Sequence, residues 1–236
     1  MKKLLISLFV LIISLNGNSQ TFQIKLKNGY NTKTNKLKYL KKPKMYVFED
    51  VNGIHKVKVN DVEELKVIEF PKNKFFYSRS GLTPYIVLNF DNIHKDKLYK
   101  LVKDWIKESY KNPDKVIKAE INNEKVKKIR IEGYDPSALS THGLGNNYFG
   151  ADYTIEIAVK DNKIRFKPIS LIGNHLGVKD LDFLSYPEYY FKKNGIPKWG
   201  WENMPEQIPQ LFEKLANSLK NYILKNKNNN SEEDDW

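Results

Sequence analysis

The fold of this chain is decided by residues 153–166, which read YTIEIAVKDNKIRF. Apolar and polar side chains alternate on both sides of a tight-turn signal at Asp161-Asn162. Alternation with a period of two predicts a strand with one buried face, and two such runs joined by a tight turn predict an antiparallel hairpin. The side chains predicted to be buried are Tyr153, Ile155, Ile157, Val159, Ile164 and Phe166.

Two shorter runs earlier in the chain follow the same pattern. They are residues 117–121 and 128–131, and an Asn122-Asn123 turn follows the first. We therefore expect four antiparallel strands that bury one face of a sheet and leave the other in water. The predicted wet face, called the open face below, carries Lys118, Glu120, Lys128, Arg130, Thr154, Glu156, Arg165 and Lys167.

A short apolar strand and two amphipathic helices surround these four strands. Residues 85–90 form the strand, and Asp91-Asn92 offers an N-cap for the first helix, which Pro113 ends. Pro209 is tolerable only in the first turn of the second helix. The apolar stripes are Leu98, Leu101, Val102, Trp105, Ile106 and Ser109 in the first helix, and Ile208, Leu211, Phe212, Leu215, Leu219, Tyr222 and Ile223 in the second.

The element order is therefore β-α-β-β-β-β-α. Each helix has one apolar face and the sheet has one buried face. The economical packing places both helices on the same side of the antiparallel sheet. The predicted fold class is a two-layer α+β domain.

Three stretches of this domain carry a family resemblance: residues 97–106, which contain Lys97-Leu98-Tyr99 and Trp105-Ile106, residues 113–117, and residues 153–166. Over roughly residues 82–172 the chain resembles a bacterial exported family of unknown function with a TATA-box-binding-protein-like (TBP-like) fold. The resemblance implies the same β-α-β4-α order and no activity, because none is assigned to that family. The chain departs from the family in two expected long loops, residues 133–151 and 172–204.

The remaining segments complete the predicted domain organisation. Residues 20–70 predict a small β unit whose strands are separated by a long exposed loop at 28–44, and residues 71–83 predict a linker to the TBP-like domain at 84–225. Residues 226–236 combine an asparagine run with an acidic block, which is typical of a disordered tail.

The first nineteen residues have the three parts of a secretory signal peptide. Lys2 and Lys3 precede an apolar run at 4–15, and Gly17 and Ser19 supply small residues before a cleavage site. The run is shorter than the roughly 20 apolar residues that a membrane-spanning helix needs. We expect cleavage after Ser19, export to the periplasm or beyond, and no lipoprotein anchor or disulfide, because the chain has no cysteine. We expect no transmembrane segment after cleavage.

The chain is strongly basic, with a formal net charge of +12. A positive excess favours anionic partners such as polyanionic glycans, lipid head groups or acidic proteins, although lysines spread along a chain also serve solubility. The predicted partner is an unknown envelope protein or an anionic glycan. We expect no nucleic-acid partner, because the chain is exported and the predicted open face lacks aromatic wedges.

No motif for catalysis, a metal or a cofactor is present, so we predict none of these. The loop at 133–151 contains Asp135, Ser137, Ser140, Thr141 and His142, and a hydrolase with its site there stays open as an alternative. No two histidines have a spacing that suits a metal.

Two surfaces are candidates for binding. Lys128, Arg130, Arg165 and Lys167 converge on the open face if their strands are neighbours, and such a group suits a carboxylate, phosphate or sulfate. The second is the aromatic loop, residues 172–204, with tentative binding residues Tyr189, Trp199 and Trp201. Each also has a simpler interpretation, a solvated face and an enlarged core respectively. The predicted function is a non-enzymatic interaction module of the cell envelope, with a structural subunit of an envelope assembly as a further alternative.

Overall fold

A computed structural model describes residues 20–123, 127–143, 145–175 and 178–228. The predicted signal peptide at 1–19 and residues 229–236 of the predicted tail lie outside the described residues, so both stay predictions. The strands are β1 Thr21–Leu26, β2 Asn31–Thr34, β3 Lys36–Leu40, β4 Met45–Asp50, β5 Gly53–Lys58, β6 Val62–Glu69, β7 Tyr77–Ser78, β8 Gly81–Leu82, β9 Ile86–Asn89, β10 Ile117–Asn122, β11 Lys127–Gly143, β12 Gly145–Lys160, β13 Lys163–His175 and β14 Val178–Asp182. The helices are α1 Lys95–Ser109, α2 Pro113–Val116 and α3 Met204–Asn226, with 3-10 turns at Val59–Asp61 and Pro187–Tyr189.

The main sheet is antiparallel and has the order β10-β11-β12-β13-β14, with β9 pairing beside β13. Its buried face is lined by the alternating positions that the sequence indicates, and Ile155 pairs there with Ile131. The side chains of Ile129, Ile131, Ile155, Ile157, Val159, Ile164 and Phe166 are all fully buried. The burial predicted for residues 153–166 is confirmed.

Strand β10 departs from the predicted alternation because a β-bulge lies between Ile117 and Ala119. One extra residue moves every later side chain to the opposite face of the sheet. Glu120 therefore lies on the helix side, where its carboxylate accepts a hydrogen bond from the Tyr99 hydroxyl. The prediction that Glu120 lies on the open face is wrong, and Ile121 is exposed in its place.

The segment 133–151 is part of a long hairpin formed by β11 and β12, and its prediction as a loop is wrong. Its glycines look like loop residues, but two of them make room for aromatic rings. The ring of Tyr153 lies over Gly133 and the ring of Tyr134 lies over Gly150, where a Cβ atom would collide with each ring. These positions are glycine because a side chain crosses the backbone there.

Helices α1 and α3 pack on each other and on the buried face of the main sheet. The stripe predicted for α1 is buried from Leu98 to Ile106, and the indole N–H of Trp105 donates to Ser218 Oγ in α3 at 3.1 Å. Pro209 lies inside α3, beyond its first turn, which the sequence argument did not allow. A proline there removes the hydrogen bond to the carbonyl four residues earlier and crowds that carbonyl. Burial of Ile208, Leu211 and Phe212 beside it offsets this cost.

The segment predicted to be a linker, residues 71–83, is packed into the main core. Phe75 and Tyr77 are buried, and the Tyr77 hydroxyl donates to the carbonyl of Phe183 at 2.6 Å. The aromatic loop is also more ordered than predicted, because β13 extends to His175 and β14 follows it. Apolar side chains drive both changes, since Phe75, Tyr77 and Phe183 leave water only by joining the core.

The N-terminal unit consists of two three-stranded sheets, β2-β1-β6 and β3-β4-β5. They enclose a separate apolar cluster that includes Ile24, Tyr46 and Phe48. Strands β2 and β3 lie within residues 28–44, so the prediction of one long exposed loop there is wrong. Lysine and asparagine alternate with buried or half-buried side chains in these strands, which hid their β character.

The aromatic loop also contacts the N-terminal unit. The Tyr46 hydroxyl donates to the carbonyl of Asn194 at 2.9 Å, and the N–H of Leu65 donates to the carbonyl of Lys193 at 3.0 Å. Ile196 packs against the N-terminal apolar cluster.

Among the described residues, neither long helix has an apolar stretch of the length that crossing a bilayer requires.

Candidate functional site

The open face of the main sheet brings the four predicted cations together. Arg130, Glu156 and Lys167 are register partners across β11, β12 and β13, and Lys128, Ala158 and Arg165 form the next row. Neighbouring strands are about 4.8 Å apart, so the cations of β11 and β13 face each other across roughly 10 Å with β12 between them. The predicted convergence of the four cations is confirmed.

Glu156 occupies the centre of this group. Its Oε1 lies 3.3 Å from the Arg165 guanidinium, and its Oε2 lies 3.8 Å from that of Arg130. The carboxylate of Glu156 is mostly buried, whereas both guanidinium groups are partly exposed. One carboxylate therefore orients two guanidinium groups and leaves the group of four with a net charge of +3.

Arg165 is held from two sides. Its guanidinium carbon lies 5.6 Å from the centre of the Tyr85 ring, in cation–π geometry. Its Nε is buried and has no hydrogen-bond partner within the described residues. A buried donor without a partner costs free energy, so the position of this guanidinium group is set by its contacts with Glu156 and Tyr85.

The open face also carries exposed aromatic side chains that the sequence argument missed. Tyr134 is 56% exposed and Tyr148 is 68% exposed, and both lie on the long hairpin. The expectation that this face lacks aromatics is therefore wrong. The signal was present, because Tyr148, Gly150 and Asp152 continue the alternation of residues 153–159 toward the start of the chain.

A shallow concavity of about 410 Å³ lies on the same face, beside the four cations. Tyr134, Asp152 and Thr154 line it, together with Lys118 and Glu132, whose side chains pair at 3.4 Å. Its lining is polar and apolar in about equal parts, and Tyr134 offers a ring for stacking. It extends the cationic group along the sheet.

Comparison with known proteins finds a family match over most of this sheet, from β9 into β13. Residues 85–169 match DUF4468, a domain of unknown function with a TBP-like fold. The resemblance inferred from the sequence is confirmed, and the DUF4468 region has a TBP-like fold. No curated protein matches the chain. A crystal structure of a DUF4468 family protein from Bacteroides ovatus superposes with a TM-score of 0.45 and 9% identity, covering 60% of this chain and 85% of the other.

The aromatic loop lies beyond the DUF4468 region and divides into two parts. Phe183, Tyr190 and Phe191 are buried, and Trp201 is partly buried with its ring centre 5.2 Å from that of Tyr190. Trp199, by contrast, is 82% exposed, and the rings of Tyr186 and Tyr189 stack on the surface at 5.6 Å. Of the three tentative binding residues, Tyr189 and Trp199 remain available to a partner, and Trp201 serves the core.

The residues of the hydrolase alternative are engaged in structural contacts. Gln207 in α3 forms two hydrogen bonds with Ser140. Its amide nitrogen donates to the Ser140 hydroxyl at 2.6 Å, and its amide oxygen accepts from the Ser140 N–H at 3.0 Å. Asp135 accepts hydrogen bonds from the N–H and the hydroxyl of Ser137. The side chain of His142 lies outside the described residues. No three histidine, aspartate or glutamate side chains group as metal ligands in the part of the chain that the structure describes.

Proposed function

We propose that this protein is an exported interaction module of the cell envelope, and that the open face of its main sheet binds an anionic ligand without catalysis. The observation that supports it most is the arrangement of Lys128, Arg130, Arg165 and Lys167 around the single carboxylate of Glu156. The partner we propose is an envelope protein with an acidic surface or an anionic glycan.

The physical basis is a preorganised pair of guanidinium groups. Glu156 hydrogen-bonds Arg165 at 3.3 Å and lies within ion-pair distance of Arg130, so it orients the two guanidinium groups and favours a ligand of defined shape. Arginine forms two parallel hydrogen bonds to a carboxylate or a phosphate, whereas lysine acts as a point charge. Tyr134 and the concavity beside it add a stacking surface for a sugar ring or an aromatic side chain.

The detailed topology and the cellular location of the chain belong to the same proposal. We propose a two-layer β-α-β-β-β-β-α arrangement of the DUF4468 region and α3, supported by the packing of α1 and α3 on the buried side of the sheet. We propose cleavage after Ser19 and a periplasmic or secreted product, supported by the three-part pattern of residues 1–19.

A binding measurement with two matched variants tests the open face. The first variant replaces Lys128, Arg130, Arg165 and Lys167 by glutamine. The control replaces four exposed lysines elsewhere, Lys33, Lys72, Lys111 and Lys214, by glutamine and so has the same net charge. The chain from Gln20 onward is titrated with a uronic-acid polysaccharide and is cross-linked in the envelope fraction.

The expected result is that the open-face variant loses at least tenfold in affinity for its ligand while the control loses little. Equal losses in the two variants would show that only net charge matters and would overturn the proposal. A partner retained by both would move the site to Tyr189 and Trp199 of the aromatic loop, which Trp199→Ala then tests.

A further inference from the structure

The β3-β4-β5 sheet of the N-terminal unit has an outer face rich in lysine. Its inner face packs Tyr46 and Phe48 into the N-terminal apolar cluster. On the outer face the register pairs three rows of side chains: Lys36, Glu49 and Ile54; Lys38, Val47 and Lys56; Leu40, Met45 and Lys58. We call these nine residues the polybasic face.

The polybasic face has four lysines and one carboxylate. Glu49 pairs with Lys36 at 2.8 Å. The other three, Lys38, Lys56 and Lys58, form no ion pair with any residue that the structure describes. The turn between β3 and β4 adds Lys41, Lys42 and Lys44, so seven lysines and one glutamate give a net charge of +6 in this small area.

The same surface exposes aliphatic side chains. Met45 and Val47 are half-buried along the central strand β4. At the β4–β5 turn Ile54 is 71% exposed and Val51 is 99% exposed. Ile54 lies in the row of the Lys36–Glu49 pair, at the end of the sheet opposite the turn that carries Lys41, Lys42 and Lys44. A sheet face rich in lysine with an aliphatic end suits a partner that is both anionic and apolar.

The chemistry of this surface favours a lipid bilayer over a discrete ligand. Lysine on a flexible stem is attracted to a diffuse negative surface, whereas recognition of a single carboxylate or phosphate favours arginine. The polybasic face has neither arginine nor an aromatic ring for stacking on a sugar. Aliphatic groups at its tip suit the boundary between head groups and acyl chains.

We propose that the polybasic face docks this protein on the surface of an anionic lipid bilayer. The lysines lie at the level of the head groups, and Val51 and Ile54 reach the acyl boundary. This function is separate from that of the open face, because the polybasic face lies in the N-terminal unit, outside residues 85–169.

Vesicle co-sedimentation tests the proposal. The chain from Gln20 onward is used, so that the apolar run at 4–15 does not contribute. We expect binding to vesicles of phosphatidylcholine mixed with phosphatidylglycerol and none to phosphatidylcholine alone. Each lysine near an anionic surface contributes about fivefold in affinity, so replacing Lys38, Lys56 and Lys58 by glutamine lowers binding by roughly 100-fold.

The matched control replaces three exposed lysines outside the polybasic face, Lys33, Lys111 and Lys214, by glutamine. It should retain binding to within a few-fold. Equal losses in the two triple variants would overturn the proposal, because only the net charge of the chain would then matter. Equal binding of phosphatidylcholine vesicles with and without phosphatidylglycerol would also overturn it.

Insertion of the tip is measured separately, and the absence of cysteine from the chain makes this simple. A single cysteine at Ile54 or, as a control, at Lys214 carries an environment-sensitive fluorophore. We expect a blue shift on vesicle binding at position 54 alone. A label at 54 that stays in water while the chain is vesicle-bound would place the contact elsewhere and overturn this orientation.

Discussion

The open face and the polybasic face are both sheet surfaces rich in cations, but they hold those cations differently. On the open face Glu156 orients Arg130 and Arg165, and a tyrosine ring packs against one of them. On the polybasic face Lys36 alone has a carboxylate partner among the residues that the structure describes. Net charge alone therefore does not describe a binding surface: oriented arginines suit a ligand of defined shape, and lysines on flexible stems suit a diffuse negative charge.

The largest expected effect comes from removing the support beneath the polybasic face. Phe48 is buried in the N-terminal apolar cluster and stacks on His55 with ring centres 4.9 Å apart. Phe48→Ala leaves a cavity and should cost about 3–5 kcal/mol of stability. Vesicle binding should fall while polysaccharide binding by the open face persists. Urea unfolding combined with both binding assays measures this, and parallel loss of both activities would show that the two faces do not fold independently.

A smaller effect on the same region follows from Asp50. Its buried carboxylate accepts a hydrogen bond from the Tyr30 hydroxyl, and His55 Nε2 lies 2.9 Å away. These hydrogen bonds, that of Tyr30 first, hold the pKa of Asp50 well below its usual range. A lowered pKa stabilises the fold above the unfolded value of about 3.9, and this stability is lost as the pH falls.

Asp50→Asn should therefore lower the melting temperature by a few degrees at neutral pH and flatten its decline below about pH 4. Calorimetry of both proteins between neutral and acidic pH measures the difference. If the melting temperature of the variant falls equally at acidic pH, carboxylates other than Asp50 cause the decline.

Glu156→Gln makes the open face resemble the polybasic face, because Arg130 and Arg165 lose the carboxylate that orients them. The substitution frees Arg130 and Arg165 and adds one positive charge, and it should change stability by less than about 1 kcal/mol because both arginines are partly exposed. Affinity for a polyanion should rise a few-fold with a steeper dependence on salt, while selectivity among anionic ligands falls. Titrations at two salt concentrations check this, and a weaker polyanion affinity would mean that orientation outweighs charge.

The smallest effect is expected in the aromatic loop. Burial raises the pKa of Tyr190 to about 12, and its hydroxyl has no hydrogen-bond partner within the described residues. A raised pKa gives stability that is complete below the unfolded value of about 10 and is lost as the pH rises toward 12. Tyr190→Phe should leave stability at pH 8 unchanged or raise it by up to about 1 kcal/mol, and should flatten the alkaline decline. Urea unfolding of both proteins at pH 8 and at an alkaline pH between about 10 and 12 tests this. A clear loss of stability in the variant at pH 8 would reveal a hydrogen-bond partner for the hydroxyl.

The parts of the fold that the sequence predicts well are those with strong local periodicity. Residues 153–166 alternate without interruption, and the stripe of α1 repeats over four turns, so burial follows from the side chains alone. The bulge at Ile117–Ala119 is different, because an extra residue is visible only when the partner strand is in place. Glu120 was placed on the wrong face for that reason.

The candidate site divides in the same way. Convergence of the four cations follows from strand order and alternation. The aromatics of the open face were missed because Gly133 and Gly150 looked like loop residues, although each accommodates a ring from a neighbouring strand. The polybasic face was missed because β3 lies in a stretch of lysines and asparagines that seemed too polar for a strand.

The contact between Tyr46 and Asn194 joins residues 148 positions apart in the chain, and it determines when the N-terminal unit is finished. During synthesis β4 emerges early, yet the turn that covers this edge of its cluster emerges only after the whole DUF4468 region. A contact of such sequence separation forms late, because the intervening chain must first be ordered. Until then Tyr46 and Leu65 lack their final hydrogen-bond partners. The partly folded N-terminal unit exposes apolar surface, which is the kind of surface that chaperones bind. A chain truncated before residue 192 would therefore lack these contacts, and the apolar cluster of its N-terminal unit would stay uncovered at this edge.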